Sequence, residues 1–257
     1  MNCPPSLVEK LHAARHVTVF TGAGVSAESG IPTFRDALTG LWQRFNFEEL
    51  ATRSAFRADP DLVWGWYEWR RSKVMRAQPN AAHRVIAAMA ARVPALTVVT
   101  QNVDDLHERA GSIEPIHLHG SLLRPRCFAC NRPHLLGPEL PEQAEDGRRL
   151  APPRCRHCGG RVRPGVVWFG EELPADAWRK AREAVGKCDV IFSIGTSFLV
   201  YPAAELPMLA AERGALVIQV NPGATSLDKV ARYNLAGPAG SILPTLFAAT
   251  WPDAPLD

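Results

Sequence analysis

Four cysteines form the most chemically distinctive pattern in this chain of 257 residues. They occur as two pairs, Cys127-x-x-Cys130 and Cys155-x-x-Cys158, with 24 residues between the pairs. Thiolates at this spacing can bind one metal ion from a tight turn, and two such pairs complete a tetrahedral Zn²⁺ site. The alternatives are two disulfides, or cysteines that only pack in a core. We expect a structural zinc site, because four thiolates leave no metal position open for catalysis.

A glycine-rich segment that runs from Gly22 to Ser26 follows a short β-branched apolar run. Glycines at the end of a strand let the backbone approach a pyrophosphate, with amide N–H groups as anion ligands. The third glycine of the usual dinucleotide-binding fingerprint is displaced to Gly30. By itself the segment therefore also fits a tight turn between a strand and a helix.

A second group of polar residues, Gln101, Asn102 and Asp104, follows another apolar run. Amide and carboxylate side chains at a strand end can bind ribose hydroxyls or a carboxamide, although Asn or Asp there can equally cap a helix. Further along, His119 can take a proton from a hydroxyl group near neutral pH. On a strand His117 would share its face, a spacing that also suits a metal pair, but the four nearby cysteines already complete a zinc site.

These residues require a framework that brings distant segments together. Short apolar, β-branched runs predict buried strands at residues 16–21, 95–100, 189–195 and 215–220. Helical patterns cover residues 61–77, 80–91, 175–186 and 202–213. Strands that alternate with helices predict an α/β fold with a parallel sheet covered on both faces. Ligands bind beyond the carboxyl ends of such strands, and each of these strands ends in a polar, loop-like segment.

Two stretches break this alternation and predict a smaller lobe. Residues 122–164 contain both cysteine pairs and a proline-rich polar segment, with too little core to fold without metal. We interpret residues 34–59 as a mobile cover followed by helices of the same lobe. The predicted large domain is Rossmann-like and comprises residues 1–33, 78–121 and 165–257. The predicted inserted lobe, a zinc ribbon with helices, comprises residues 34–77 and 122–164.

The composition excludes several other classes of protein. Apolar residues make up 46% and charged residues 21% of the chain, as is ordinary for a globular protein. A net charge of +3 does not favour a protein whose main role is to hold nucleic acid. The first ten residues lack the apolar core of a signal peptide, and no apolar run approaches the length of a membrane span. We therefore expect a cytoplasmic protein with no membrane association.

Together these motifs resemble the sirtuins, the NAD-dependent protein lysine deacylases. The resemblance covers residues 17–246, and the motifs follow the order of the family. They are the segment from Gly22 to Arg35, residues 101–104, His119-Gly-Ser, the two cysteine pairs, Val167-Trp-Phe-Gly-Glu171 and Gly195-Thr-Ser197. Any one of these motifs could arise by chance, whereas all of them in order are highly specific.

The resemblance implies a role for each matching residue. The residues that would hold NAD are Gly22, Ala23, Gly24, Ser26, Phe34, Arg35, Gln101, Asn102, Asp104, Gly195, Thr196, Ser197, Asn221 and Ala239. Those that would bind the substrate peptide as an added strand are Val167, Phe169, Gly170 and Glu171. His119 would be the general base.

The implied reaction consumes NAD as a co-substrate. The carbonyl oxygen of an acyl-lysine attacks C1′ of the nicotinamide ribose, and nicotinamide leaves. His119 then activates the ribose 2′-hydroxyl, which attacks the resulting imidate carbon. Water completes the release of lysine and O-acyl-ADP-ribose. The implied partners are proteins or peptides that carry acyl-lysine.

Tyr67 and Arg70 indicate the kind of acyl group. Residues three apart share a face of a helix, so the phenol and the guanidinium can converge. A guanidinium beside a hydroxyl suits a carboxylate, whereas a neutral acetyl group gives it nothing to bind. The same Tyr-x-x-Arg pair marks sirtuins that remove malonyl, succinyl or glutaryl groups. The alternative is an amphipathic helix with Tyr67 in the core and Arg70 in water.

Some positions depart from the family pattern. His117 stands where an acidic residue often precedes Leu-His-Gly, which affects how the catalytic histidine is supported. Asn221 lacks the acidic or hydroxyl residue that often follows it, and Ala239 replaces a cysteine that some relatives place near the adenine.

Two other functions remain open from the sequence. A mono-ADP-ribosyltransferase would use the same NAD site without deacylation. A zinc-ribbon nucleic-acid binder would use a basic face of the zinc lobe, formed by Arg124, Arg126, Arg132, Arg154, Arg156, Arg161 and Arg163. An arginine-rich ribbon is more often a solvated surface or a docking site, so we expect no stable nucleic-acid binding.

Overall fold

The computed structural model describes residues 3–33, 47–137 and 147–254. Phe34 and Arg35, predicted to contact NAD, lie outside these ranges. The strands in chain order are β1 His16–Thr21, β2 Ala95–Thr100, β3 Ile116–His117, β4 Gly120–Cys127, β5 Val162–Val166, β6 Val190–Ile194, β7 Leu216–Asn221 and β8 Tyr233–Ala236.

The α-helices are α1 Pro5–His12, α2 Phe47–Leu50, α3 Arg53–Ala58, α4 Pro60–Arg76, α5 Ala81–Met89, α6 Leu106–Arg109, α7 Ala175–Lys187, α8 Leu206–Glu212 and α9 Ala239–Thr250. Short 3₁₀ helices cover Ala23–Ser29, Ala203–Glu205 and Ser226–Lys229. Among the residues with described structure, no helix combines the length and the apolar character needed to span a membrane.

The main sheet has the strand order β3-β2-β1-β6-β7-β8, and all its neighbouring strands are parallel. The predicted parallel α/β fold is therefore confirmed. The order reverses between β1 and β6, and such a switch point opens a crevice at the carboxyl ends of the strands. Thr21 pairs with Thr100 on one side and with Ile194 on the other, so the loops that follow β1, β2 and β6 start at the same level.

Both faces of the sheet are buried, because successive side chains of a strand point to opposite faces. In β1, Val19 packs with α1, α5 and α9, whereas Phe20 packs with α7 and α8. Ile218 and Val217 divide in the same way in β7. Burial on two faces explains why these strands are continuous apolar runs without polar alternation.

The predicted strands and helices agree with the structure to within a few residues, with one correction. Residues 202–213 do not form one helix, because a 3₁₀ turn precedes α8. Pro207 has no N–H to donate and fits only the first turn of a new helix. The helices and strands without a sequence prediction are α1, α6, α9, β3, β8 and the β4–β5 pair.

A second apolar cluster is built around α4 and the antiparallel pair β4–β5. Its largest fully buried side chains are Trp66, Trp168 and Phe56. Helix α4 begins at Pro60, with the side chain of Asp59 accepting a hydrogen bond from Leu62 N at 3.1 Å. This cluster forms the core of the smaller lobe, whose residue boundaries stay a prediction.

Candidate functional site

A cavity of about 410 Å³ opens at the carboxyl ends of β1, β6 and β7. We call it the first cavity. Ten of the residues predicted to hold NAD line it: Gly22, Ala23, Gly24, Gln101, Asn102, Gly195, Thr196, Ser197, Asn221 and Ala239. Ala239 reaches it from the start of α9. The topology thus gathers segments that lie more than 200 residues apart in the chain.

The glycines of the loop after β1 allow two backbones to touch. A Cβ on Gly24 would lie 2.7 Å from Gly195 Cα, closer than real Cβ atoms approach other atoms. Gly22 N and Gly24 N already donate to Ile194 O and Gly195 O, each at 2.9 Å. These two amides are therefore engaged in the fold, and phosphate binding by this loop stays a prediction.

Ser26 and Asp104 lie beneath the first cavity and are not among the described residues that line it. Ser26 Oγ donates to Asp104 Oδ2 at 3.0 Å and accepts from Asn102 Nδ2 at 3.0 Å. Burial raises the pKa of Asp104, although Leu106 N and Ser26 oppose the change. Asp104 thus holds Ser26, which in turn holds the amide of Asn102, and the predicted cofactor contacts of Ser26 and Asp104 stay a prediction.

A second cavity of about 420 Å³ adjoins the first. Its lining includes all of the residues predicted to bind substrate, which are Tyr67, Arg70, Val167, Phe169, Gly170 and Glu171. The two cavities share Gln101, His119, Ser197 and Val200. The predicted general base therefore lies where the two cavities meet.

His119 is held in one tautomer by the backbone. Its Nδ1 lies 3.0 Å from Gln101 O, and a carbonyl oxygen only accepts, so Nδ1 carries the proton. The other ring nitrogen, Nε2, then has a lone pair and can accept a proton. Burial lowers the pKa of His119, so the ring is neutral at pH 7. A neutral histidine with a free Nε2 lone pair is the form that a general base needs.

His117 does not support His119 directly. Its Nε2 lies 2.8 Å from Glu108 Oε1, and its Nδ1 lies 3.1 Å from Asn102 O. Burial opposes its charge, but Glu108 prevails and raises the pKa of His117. The departure at this position thus leaves the support of His119 to the backbone of Gln101.

Tyr67 and Arg70 converge on the second cavity from α4, as their spacing predicts. The Arg70 guanidinium carbon lies 5.2 Å from the centre of the Trp66 ring. Burial raises the pKa of Tyr67 to about 12, so the phenol is protonated and can donate. Burial lowers the pKa of Arg70, but an arginine side chain stays charged in proteins. The cavity therefore presents a cation and a hydroxyl at one wall.

Glu171, predicted to bind the peptide, is an anchor of the fold. Its carboxylate accepts from Arg163 Nη1 at 2.5 Å and Nη2 at 2.9 Å, from Arg53 Nη1 at 3.1 Å and from Trp168 N at 3.0 Å. Burial opposes ionisation, but these donors lower the pKa of Glu171 to about 2. The carboxylate is therefore an ion that fixes the turn after β5.

Trp168 also lines the second cavity but was not among the predicted site residues. Its indole Nε1 donates to Tyr67 Oη at 3.0 Å. The motif Val167-Trp-Phe-Gly-Glu171 contained the signal, because a tryptophan N–H needs an acceptor when it is buried.

The four predicted metal ligands lie together. Their Sγ atoms are all within 4.8 Å of one another, with 3.5 Å between Cys127 and Cys158 and 3.8 Å between Cys130 and Cys155. Four sulfurs about 2.3 Å from one zinc ion would be about 3.8 Å apart, which fits this arrangement. All four are free thiols, so the disulfide alternative is not supported.

The local backbone also suits a thiolate cluster. Burial opposes ionisation of Cys127, but the N–H groups of Cys130 and Ala129 lower the pKa of its thiol to about 6. A Cβ on Gly160 would lie 3.2 Å from Cys127 Sγ and 3.3 Å from Cys158 Sγ, so glycine leaves room for both sulfurs. Donor type and spacing therefore fit a structural zinc site.

Comparison with known proteins points in one direction. The family model described as Sir2 family matches residues 22–202. The NAD-dependent protein deacylase of Methylococcus capsulatus is 61% identical over 249 residues, which cover 97% of this chain and 98% of the relative. NAD-dependent protein deacylase 1 of Pseudomonas aeruginosa is 56% identical, with 96% of this chain and 99% of the relative covered.

Two solved structures lead to the same result as the sequence relatives. The crystal structure of a Sir2 homolog–NAD complex superposes with a TM-score of 0.88 at 44% identity, covering 99% of this chain and 96% of the other. A complex described as Sir2–p53 peptide–NAD⁺ has a TM-score of 0.80 at 29% identity, covering 94% and 96% of the two chains.

Proposed function

The chain belongs to the Sir2 family and is an NAD-dependent protein deacylase, and we propose that it removes succinyl and malonyl groups as well as acetyl groups from lysine. The observation that carries the proposal is the position of Arg70 and Tyr67 in the second cavity, which also contains His119. NAD binding, the peptide and the acyl group each place a different demand on the site.

The first cavity is suited to NAD. Its walls are mostly backbone and small side chains from the loops after β1, β6 and β7, and it lies at the switch point of a parallel sheet. NAD supplies the ribose to which the acyl group is transferred, and nicotinamide and O-acyl-ADP-ribose are released. In this arrangement Asn102 Nδ2 is held by Ser26 and His119 faces the junction with the second cavity.

His119 is the general base of the proposal. With Nδ1 donating to Gln101 O, its Nε2 accepts a proton from a ribose hydroxyl. Zinc at the four cysteines would hold the ribbon of the small lobe together, and it takes no part in bond-making because four thiolates leave no open position.

The proposed peptide partner lies across the mouth of the second cavity. Seven large apolar side chains are exposed in the described residues, and four of them line this cavity. They are Phe169, Leu199, Val200 and Tyr201. A concentration of exposed apolar side chains marks a contact surface. The segment from Val167 to Gly170 lines the same cavity, and an extended acyl-lysine peptide would lie along it as an added strand.

Arg70 supplies the selectivity. A succinyl or malonyl carboxylate that enters the cavity can take a hydrogen bond from the guanidinium and another from Tyr67 Oη. Glu171 also lines this cavity, but Arg163 and Arg53 neutralise it and it does not compete for Arg70. An acetyl group has no carboxylate to accept these hydrogen bonds, so we expect it to be accepted with less help from the cavity.

The test compares one peptide carrying acetyl-, succinyl- or malonyl-lysine, with NAD, in the wild type and in Arg70→Met. Loss of one partner of a buried charge pair costs about 2–5 kcal/mol, so kcat/KM for the two acidic groups should fall by about 30-fold or more. Activity on acetyl-lysine should change by less than about 3-fold, since it has no charge to lose. Arg76→Met, an exposed arginine on the same helix, is the matched control.

Equal losses on all three peptides would contradict the selectivity. Nicotinamide release with transfer of ADP-ribose to protein and no free lysine would instead indicate a mono-ADP-ribosyltransferase.

The proposed compartment is the cytoplasm. All six cysteines are free of disulfide bonds, and a reducing environment keeps thiols in this state.

A further inference from the structure

Trp168 is packed tightly from several sides beside the second cavity. Its side chain is 1% exposed, and the Arg163 guanidinium carbon lies 3.4 Å from the centre of its ring. The Phe56 ring packs on it with a centroid distance of 5.4 Å. This packing fixes the direction of the indole N–H.

The backbone on both sides of Trp168 is fixed as well. Val167 N donates to His119 O at 2.8 Å, and Phe169 N donates to Ala51 O at 2.9 Å. Trp168 N donates to Glu171, which is itself bonded to Arg163. The position of the ring is therefore set by contacts other than the one with Tyr67.

The indole N–H acts on the hydroxyl of Tyr67. Trp168 Nε1 lies 3.0 Å from Tyr67 Oη, and both groups are buried. A phenol has one proton to donate and accepts through the lone pairs of its oxygen. Because the tryptophan occupies an acceptor position, the phenol proton must point away from the indole. Tyr67, Arg70 and Trp168 all line the same cavity, which is the side left for that proton.

We propose that Trp168 is a positioning residue for the recognition of acidic acyl groups. Its indole N–H turns the Tyr67 O–H into the second cavity, where that O–H and the Arg70 guanidinium donate together to the acyl carboxylate. This role rests on the proposed selectivity for acidic acyl groups. The preference for one acyl group over another would then depend on the segment from Val167 to Glu171, which is also the predicted peptide-binding segment.

Trp168→Phe tests the role because it keeps an aromatic ring and removes the indole N–H, while the control and the double variant below account for the smaller size of the phenyl ring. The quantity measured is the ratio of kcat/KM for succinyl-lysine to kcat/KM for acetyl-lysine, on one peptide sequence. Tyr67→Phe should lower the ratio by about 10-fold or more, as expected for a hydrogen bond to a charged group. Trp168→Phe should lower it by about 5-fold, since the hydroxyl remains but is no longer oriented.

The double variant distinguishes positioning from packing. If Trp168 acts through the Tyr67 hydroxyl, Trp168→Phe should leave the ratio unchanged in a Tyr67→Phe background. Trp64→Phe is the matched control, because Trp64 is buried in the same apolar cluster but lines neither cavity. It should leave the ratio at the wild-type value even where it lowers the melting temperature.

Two results would overturn the role of Trp168. One is an equal loss on both peptides in Trp168→Phe. The other is a fall in the ratio that persists when Tyr67 is already Phe. A wild-type enzyme that turns over acetyl-lysine but not succinyl-lysine would overturn the acyl selectivity and this role together, so the two failures are distinguishable.

Discussion

Substitution of Glu171 by Gln is expected to destabilise the small lobe in a way that depends on pH. The Glu171 side chain is 11% exposed, and its partner Arg163 is 2% exposed. Glu171→Gln keeps the shape of the side chain but removes the charge that balances Arg163. A buried arginine without its carboxylate is costly, because its charge is then neither paired nor solvated.

The magnitude follows from the pKa of the carboxyl group. A fall from 4.5 to about 2 corresponds to about 3 kcal/mol at about 1.4 kcal/mol per pKa unit. Partial exposure of the site, including an Arg53 side chain that is 49% exposed, reduces this to about 2 kcal/mol. The unpaired Arg163 adds to the cost, so we expect a loss of about 2–4 kcal/mol at pH 7. The melting temperature should fall by about 4–12 °C.

The sign of the pH dependence is fixed by the direction of the shift. The folded-state pKa of Glu171 is lowered, so its contribution is complete above the unfolded value of 4.5 and is lost as the pH falls towards 2. At pH 3.5 the difference in unfolding free energy between wild type and Glu171→Gln should have narrowed by about 1 kcal/mol. The measurement is urea denaturation of both proteins at pH 7 and at pH 3.5. Subtracting the unfolding free energy of the variant from that of the wild type at each pH cancels effects common to both proteins, such as protonation of the cysteine thiols.

Glu172→Gln is the control, because Glu172 is the exposed neighbour in the chain. It should change the free energy of unfolding by less than about 0.5 kcal/mol. A loss below that value in Glu171→Gln at pH 7, or the same loss at both pH values, would refute the reasoning.

Two further predictions concern catalysis and the metal. Since burial lowers the pKa of His119 below 6.5, kcat/KM for nicotinamide release should be level at pH 7–8 and fall on acidification through a value below 6.5. A fall that begins above pH 7 would contradict the neutral general base. His119→Ala should abolish product formation at every pH. Elemental analysis of the purified protein should give one zinc ion per chain. Cys130→Ser should contain no zinc, and its melting temperature should be several degrees lower. Cys3→Ser, a substitution at an isolated thiol, should retain the zinc. Unchanged zinc content in Cys130→Ser would show that the four thiols do not form the site.

Several features of the fold could be predicted from the sequence because their causes are local. The strands His16–Thr21 and Ala95–Thr100 have the predicted bounds, since burial on both faces requires continuous apolar runs. The short strand Ile116–His117 has too few residues for a pattern to be detected. The helix Ala239–Thr250 contains Pro244, and its helical packing against the sheet outweighs that local signal.

Some of the predicted site residues could likewise be found from local pattern, whereas the contacts of others could not. The prediction of the cysteine quartet rests on spacing, and that of the Tyr67/Arg70 pair rests on spacing together with the family resemblance; the structure brings each set together. The binding roles of Ser26, Asp104 and Glu171 stay predictions, and the bonds that these residues make within the fold depend on partners that no spacing reveals. Ser26 and Asp104 bond each other beneath the first cavity, and Glu171 pairs with Arg163.

The sequence by itself determined the chemistry that is available: four thiolates for one metal, a histidine base, and a guanidinium beside a phenol. Only the tertiary structure decided how these groups are oriented. Gln101 O selects the tautomer of His119, and Trp168 fixes the hydroxyl of Tyr67 across 101 residues of chain. The physical reason is that residue type and spacing set which donors and acceptors exist, whereas the direction of a hydrogen bond depends on the position of its partner in space.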